Sequence, residues 1–104
     1  MAIENEVSRL LCYRVAWLQS KGLVPSYEAS MSFLFAGEVT RRIANTGMEI
    51  LGLYGQLTKK SKWALLGGTI QNMYLSSLAL GIGGGTNEIQ RNLIAILGLG
   101  LPRS

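Results

Sequence analysis

The sequence contains no histidine and a single cysteine, Cys12. Without histidine there is no Ser-His-Asp triad, no histidine general base and no histidine-containing metal site. One cysteine excludes an intrachain disulfide and a four-cysteine zinc site. Charge is also scarce: 15% of residues, ten basic against six acidic, for a formal +4. The only local basic cluster is Lys59-Lys60-Lys62, and basic residues are otherwise scattered without aromatic interleaving, so no nucleic-acid partner is expected. No run approaches the roughly 18 apolar residues that span a bilayer, so no membrane partner is expected either. Glu4 and Glu6 stand where a secretory leader would carry basic and then apolar residues. The expected compartment is the cytoplasm.

What is present is enough for one domain. The chain has 104 residues, 48% hydrophobic and 8% aromatic, read as a single domain over 1–104. At this length folding removes only ~60–70% of the unfolded surface. A helix without a partner inside the chain will seek one outside it.

Glycine punctuates the sequence into helical segments. From Ala2 to Lys21, the residues Ile3, Val7, Leu10, Leu11 and Leu18 share one helical face. Glu4 and Glu6 suit the start of that helix, Lys21 its end, and Gly22 the position just beyond. Pro25 precedes a second helix, Tyr27 to Leu51, with Ser26 as candidate N-cap. Met31, Leu34, Phe35, Val39, Ile43 and Ile50 form its apolar stripe. Gly37 and Gly47 interrupt it at ~1 kcal/mol each relative to alanine, which close approach of a neighbour would offset. Gly52-Leu53-Tyr54-Gly55 ends the helix, and a basic loop runs to Gly67-Gly68. Thr69 is a candidate cap for a third helix, Ile70 to about Leu80, with Ile70, Met73, Tyr74 and Ser77 on one face. Thr86 caps a last helix, Asn87 to Leu97, with Ile89, Leu93, Ile94 and Leu97 apolar. No alternating strand pattern and no internal repeat occur. The fold class is all-α: an antiparallel up-down bundle of three long or medium helices plus a short C-terminal one.

The most specific local feature is Gly83-Gly84-Gly85-Thr86-Asn87-Glu88. A glycine run feeding a helix start presents unpaired N–H groups and suits a phosphate or another anion. The plain alternative is a flexible turn with Thr86 as N-cap. The spacing is not that of a P-loop, and no lysine follows. Cys12 is expected to be a buried or half-buried inert thiol, since nothing nearby lowers its pKa. The three lysines read as a solvated loop, with contact to an acidic ligand as the alternative. Trp17 and Trp63 are expected as core or interface anchors. Glu38 is expected to face solvent or to pair with Arg41 or Arg42.

Gly84-Gly85-Thr86-Asn87-Glu88-Ile89-Gln90-Arg91-Asn92, with Leu97-Gly98-Leu99-Gly100-Leu101-Pro102-Arg103 behind it, resembles the C-terminus of acyl-CoA dehydrogenases. Tyr13-Arg14-Val15-Ala16-Trp17 is similar to the family's Tyr-Arg-Ala-Ala-Trp helix, and Glu28 through Gly55 to the next long helix and its glycine-rich end. The resemblance covers nearly the whole chain but only the later part of the family's C-terminal bundle. It implies that the bundle's first helix, the β-barrel and the N-terminal domain lie outside this sequence.

By that resemblance, Gly85, Thr86 and Glu88 match positions near the FAD of the same subunit. Glu49, Gly52 and Leu53 match the segment that meets a partner subunit's FAD. Leu53 departs from the usual glycine, and Glu49 stands where glutamine is common. Gly84 occupies the place where many members carry the glutamate that removes the α-proton of the acyl-CoA; no catalytic residue is therefore assigned. FAD is implied for the parent family, with none expected on this chain alone. The implied partners are further copies of the chain, as dimer or tetramer, or the missing parts of a dehydrogenase. The acyl-CoA substrate belongs to the full protein only. The alternative is a stand-alone helical oligomerisation module without flavin chemistry, in which Leu10, Leu11, Leu34, Phe35 and Ile43 need new cover.

Overall fold

Four α-helices account for most of the chain: α1 (Ala2–Ser20), α2 (Ser26–Leu51), α3 (Thr69–Ala79) and α4 (Asn87–Leu93). The structure is a computed structural model and describes residues 1–103. No strand occurs among the described residues.

Helix α2 is the axis of the assembly. Glu4 pairs with Arg42 at 2.7 Å, Cys12 Sγ lies 3.3 Å from Ser32 Oγ, and Arg14 reaches Glu28 at 3.6 Å, so α1 runs antiparallel to α2. A Cβ on Gly47 would meet Ile70, and one on Gly37 would meet Leu80, so α3 also runs antiparallel to it. Arg91 pairs with Glu38 and Gly98 lies on Tyr27, which gives α4 the same direction. The two interruptions in α2 are thus places where another element comes close, as their cost in an isolated helix requires.

The loop signals act largely as read. Gly22, at φ 72°, follows α1 in the left-handed region. Its N–H donates to the Gln19 carbonyl and the Leu23 N–H to the Leu18 carbonyl, both at 3.0 Å. That double closure satisfies two orphan carbonyls of the last turn. Gly52 ends α2 with φ 56° and opens a 3₁₀ turn, Gly52–Gln56.

Two caps differ from expectation. Ser26 is the first helical residue of α2, not its cap, because Pro25 takes the cap position with φ −79° and the chain turns one residue early. Thr69 likewise begins α3: its hydroxyl donates to the Leu66 carbonyl at 2.7 Å, and left-handed Gly68 precedes the helix. Thr86 does cap α4, accepting from the Ile89 N–H at 3.3 Å. The last helix is shorter than expected as an α-helix. It continues through a π-helical turn, Ile94–Gly98, whose Gly98 meets the Tyr27 ring.

The buried stripe of α1 is displaced from the predicted one. Glu4, Ser8, Leu11, Val15 and Leu18 are half-buried against α2, whereas Ile3, Val7 and Leu10 are exposed, Ile3 at 80%. Both sets have helical spacing, offset by about one residue. The polar Glu4 enters the inner set because Arg42 meets it there. Ile50 is exposed as well. Trp17 and Trp63 are exposed and contribute no core; Trp63 lies under the Lys62 ammonium, 5.2 Å from the ring centroid. Cys12 is exposed rather than buried.

Only Val39 and Ala44 are fully buried apolar residues among those described. The accessible surface is 7351 Å², against about 5,700 Å² for a compact monomer of this mass. The radius of gyration is 16.8 Å, against about 13 Å for a compact chain of this length. The helices form one layer around α2 and leave their outer faces open.

Candidate functional site

The glycine-rich segment before α4 is an ordered turn. Ile82 and Gly83 donate to the Ala79 carbonyl at 3.1 and 2.8 Å, and the Asn87 N–H closes back on the Gly81 carbonyl at 3.3 Å. Gly84 and Gly85 have φ of 74° and 105°, a region that L side chains rarely adopt. Gln90 comes up from the first turn of α4, is buried, and donates through Nε2 to the Gly84 carbonyl at 3.0 Å. From the other side the Phe33 ring of α2 lies 3.2 Å from where a Cβ on Gly84 would stand.

Thr86 Oγ1 accepts from Ile89, which leaves its own hydroxyl hydrogen available to a ligand. Glu88 is exposed in the first turn of α4, one residue beyond Asn87. Asn87 lines a shallow polar cleft of about 320 Å³ with Glu38, Arg41, Arg42 and Asn45. Arg42 and Glu38 there are already engaged, with Glu4 and Arg91 respectively. Glu38 therefore pairs across helices and not with Arg41 or Arg42 on its own helix.

The second group of sequence-predicted residues lies farther along α2. Glu49 lines an open cleft of about 500 Å³ with Asn45, Met48, Gln56, Gln71, Tyr74 and Leu75. Gly52 and Leu53 form the turn beyond it, and Leu53 is 82% exposed. A Cβ on Gly52 would meet nothing, so the turn could be approached closely by another molecule. Phe33, which seats Gly84, is sixteen residues before Glu49 on the same helix, about 24 Å at 1.5 Å per residue. The fold thus brings Gly84, Gly85, Thr86 and Glu88 together, gathers Glu49, Gly52 and Leu53 separately, and keeps the two groups apart.

Two residues that shape the first group were missed by the sequence reading. Gln90 stands within the quoted Glu-Ile-Gln-Arg stretch, so its place next to Gly84 had a signal. Phe33 had none, since it belongs to a different helix and looks like an ordinary apolar residue.

The lysine loop fits the solvated reading. Lys59, Lys60 and Lys62 are exposed, and none takes part in an ion pair among the described residues. No cluster of metal-ligating side chains occurs among the described residues, and no helix is long and apolar enough to cross a membrane.

Comparison with known proteins converges on one family. The profile of the acyl-CoA dehydrogenase C-terminal domain matches residues 1–97. The acyl-CoA dehydrogenase FadE26 of Mycobacterium tuberculosis (strain ATCC 25618 / H37Rv) is 39% identical over 102 residues, 95% of this chain and 26% of that protein. The crystal structure of the ChsE4–ChsE5 complex from Mycobacterium tuberculosis superposes with a TM-score of 0.88 at 38% identity, covering 99% of this chain and 26% of the matched one. The steroid ACAD Tcur3481–Tcur3483 superposes at 0.92 with 29% identity, covering 99% and 27%. The chain spans about a quarter of the length of each of these proteins.

Proposed function

The chain belongs to the acyl-CoA dehydrogenase family, as its C-terminal helical domain, and from that premise we propose that it supplies cofactor-edge contacts and subunit-assembly surface, without carrying the reaction itself. The observation that carries this reading is the division of its candidate residues into two separated groups. Gly85, Thr86 and Glu88 offer one FAD edge a hydroxyl, backbone N–H groups and a carboxylate. Glu49, Gly52 and Leu53 offer a second, at the C-terminal end of α2 and the exposed turn that follows it. A chain that meets its own subunit's FAD with one group and a partner's with the other needs that separation.

The residues present fit an edge and not a whole flavin. At Gly84–Gly85 the sides where a Cβ would stand are taken by Phe33 and Gln90, so the turn offers a ligand its backbone and the Thr86 hydroxyl. The aromatic ring beside it, Phe33, packs on Gly84 itself, and the amide of Gln90 holds the other side. When bound, FAD supplies the hydride acceptor for α,β-desaturation of an acyl-CoA thioester. This chain's part is to orient that cofactor, through Thr86 and the adjoining backbone. Gly84 has no side chain to take a proton, and Glu88, four residues on, faces solvent one turn away.

The test is a hybrid in which this chain replaces the matched quarter of FadE26. It should retain flavin, and Thr86→Ala with Glu88→Ala should lower that retention while the isolated chain binds none stoichiometrically. Stoichiometric FAD on the isolated chain, or full retention in the double variant, would overturn the reading.

A second reading is favoured by the exposed row Ile3, Val7, Leu10 and Trp17 on α1. A stand-alone helical module would cover that row by self-association, independent of flavin. Sedimentation of the isolated chain separates the two: a stable monomer at 100 µM on the order-of-magnitude scale of weak protein pairs counts against the module.

A further inference from the structure

We propose that Phe33 and Gln90 form a two-sided clamp that reserves position 84 for glycine and fixes the direction in which the Gly84–Thr86 backbone faces a ligand. The ligand side of this inference rests on the cofactor-edge reading above; the clamp itself stands on geometry.

Five glycine-rich residues in a loop would ordinarily sample many conformations. Here one long-range contact, from Phe33, and one local hydrogen bond, from Gln90, restrict that freedom. Phe33 is carried by α2, a helix packed along most of its length, and its ring lies 3.2 and 3.4 Å from where a Cβ on Gly84 would stand. That is closer than an added methylene tolerates without moving the ring. Gln90 is 6% exposed, and its Nε2 donates to the Gly84 carbonyl at 3.0 Å. A buried amide donor left without a partner is costly, so Gln90 holds that carbonyl. A Cβ on Gly85 would stand 2.9 Å from the same Nε2. The loop is therefore referenced to α2 on one side and to α4 on the other.

Position 84 is closed in two independent ways. Its φ of 74° lies where an L residue is disfavoured, by a factor of roughly 5–30 in the folding equilibrium. The ring, 36% exposed, then crowds the first side-chain atom and would have to give way for it. The loop meets its ligand with backbone and the Thr86 hydroxyl, and is built against a side chain at 84.

Phe33 and Gln90 are positioning residues, and a double-mutant cycle tests the first. Gly84→Ala is measured by urea unfolding in the native background and with Phe33→Leu. The clamp predicts that Phe33→Leu relieves the loss by about threefold or more in the folded-to-unfolded ratio; an equal loss in both backgrounds overturns it. The second test survives even if Gly84→Ala fails to fold. Gln90→Glu is isosteric but puts an acceptor in place of the donor. The backbone amide resonances of Gly84, Gly85 and Thr86 should shift, and their hydrogen exchange should speed up by on the order of tenfold, with α2 amides unchanged. Unmoved loop amides in Gln90→Glu overturn the clamp. Loop amides that respond while the FadE26 hybrid keeps all its flavin uphold the clamp and overturn the cofactor-edge reading instead.

Discussion

Arg91 of α4 donates through Nη2 to the Glu38 carboxylate of α2, tying two helices whose residues are 53 positions apart in sequence. Both side chains are about half exposed. The pair therefore sets the register of α4 on α2 more than it adds stability. Glu38→Gln should cost under ~1 kcal/mol. The exchange Glu38→Arg with Arg91→Glu should recover most of that loss, as read by urea unfolding of the single and double variants. A loss in the exchange equal to the sum of its single changes would show that the pair is idle.

The two glycines inside α2 are predicted to respond with opposite sign. A Cβ on Gly37 would meet only ordinary contacts, the Leu80 carbonyl at 3.6 Å and the Leu80 Cβ at 3.8 Å. Gly37→Ala should therefore raise stability by ~0.5–1 kcal/mol through helix propensity. A Cβ on Gly47 would stand 3.0 and 3.2 Å from Ile70. Gly47→Ala should lose ~1–2 kcal/mol net, because pushing α3 away outweighs the propensity gain. Thermal unfolding of the two variants side by side decides it.

Removing the cap of α4 has a conservative control. Thr86→Val keeps the shape and deletes the acceptor for the Ile89 N–H, at a cost of ~1 kcal/mol. Thr86→Ser should retain most of the native stability. If both variants unfold at the same denaturant concentration, the hydroxyl is not holding the helix start.

The exposed Glu6–Arg9 pair on α1 gives a pH signature. The guanidinium of Arg9 hydrogen-bonds the Glu6 carboxylate at 2.5 and 2.9 Å, and holds its pKa below the ordinary carboxylate value. A depressed folded-state pKa means that the contribution is present above the unfolded value and fades as pH falls through the folded one. Glu6→Gln should thus unfold like the native chain at acid pH and slightly more easily near neutrality. High salt should erase the difference, and chemical denaturation at two pH values and two salt concentrations reads it.

Much of the fold could be read from single residues. Gly22, Gly52 and the Gly81–Gly85 run each mark a helix boundary, because a left-handed or side-chain-free residue is what those turns need. The inner face of α1 could not be read. Ile3, Val7, Leu10 and Trp17 make as good an apolar row as Leu11, Val15 and Leu18, and helical periodicity alone does not say which row meets α2. The contacts with α2 show which, Arg42 meeting Glu4 and Glu28 meeting Arg14. The site divides the same way. The turn at Gly83–Gly85 was legible from local spacing, as was Thr86 as a cap. Phe33 was not, since its importance comes from lying against a glycine 51 residues away. Pro25 and Gly68 displaced Ser26 and Thr69 from the cap positions, where backbone geometry outweighed side-chain preference.

The dependence of every other helix on α2 orders how the chain comes apart. Helices α1, α3 and α4 each pack on α2 and share no comparable interface with one another. Loss of α1 exposes one face of α2 and leaves the other two docked, while loss of α2 leaves nothing for any of them to hold. Slowest amide exchange belongs in the middle of α2, around Val39 and Ala44, and graded release belongs to the three satellites. A protease that nicks α1 would leave a smaller particle, whereas one cut near Val39 would end the fold.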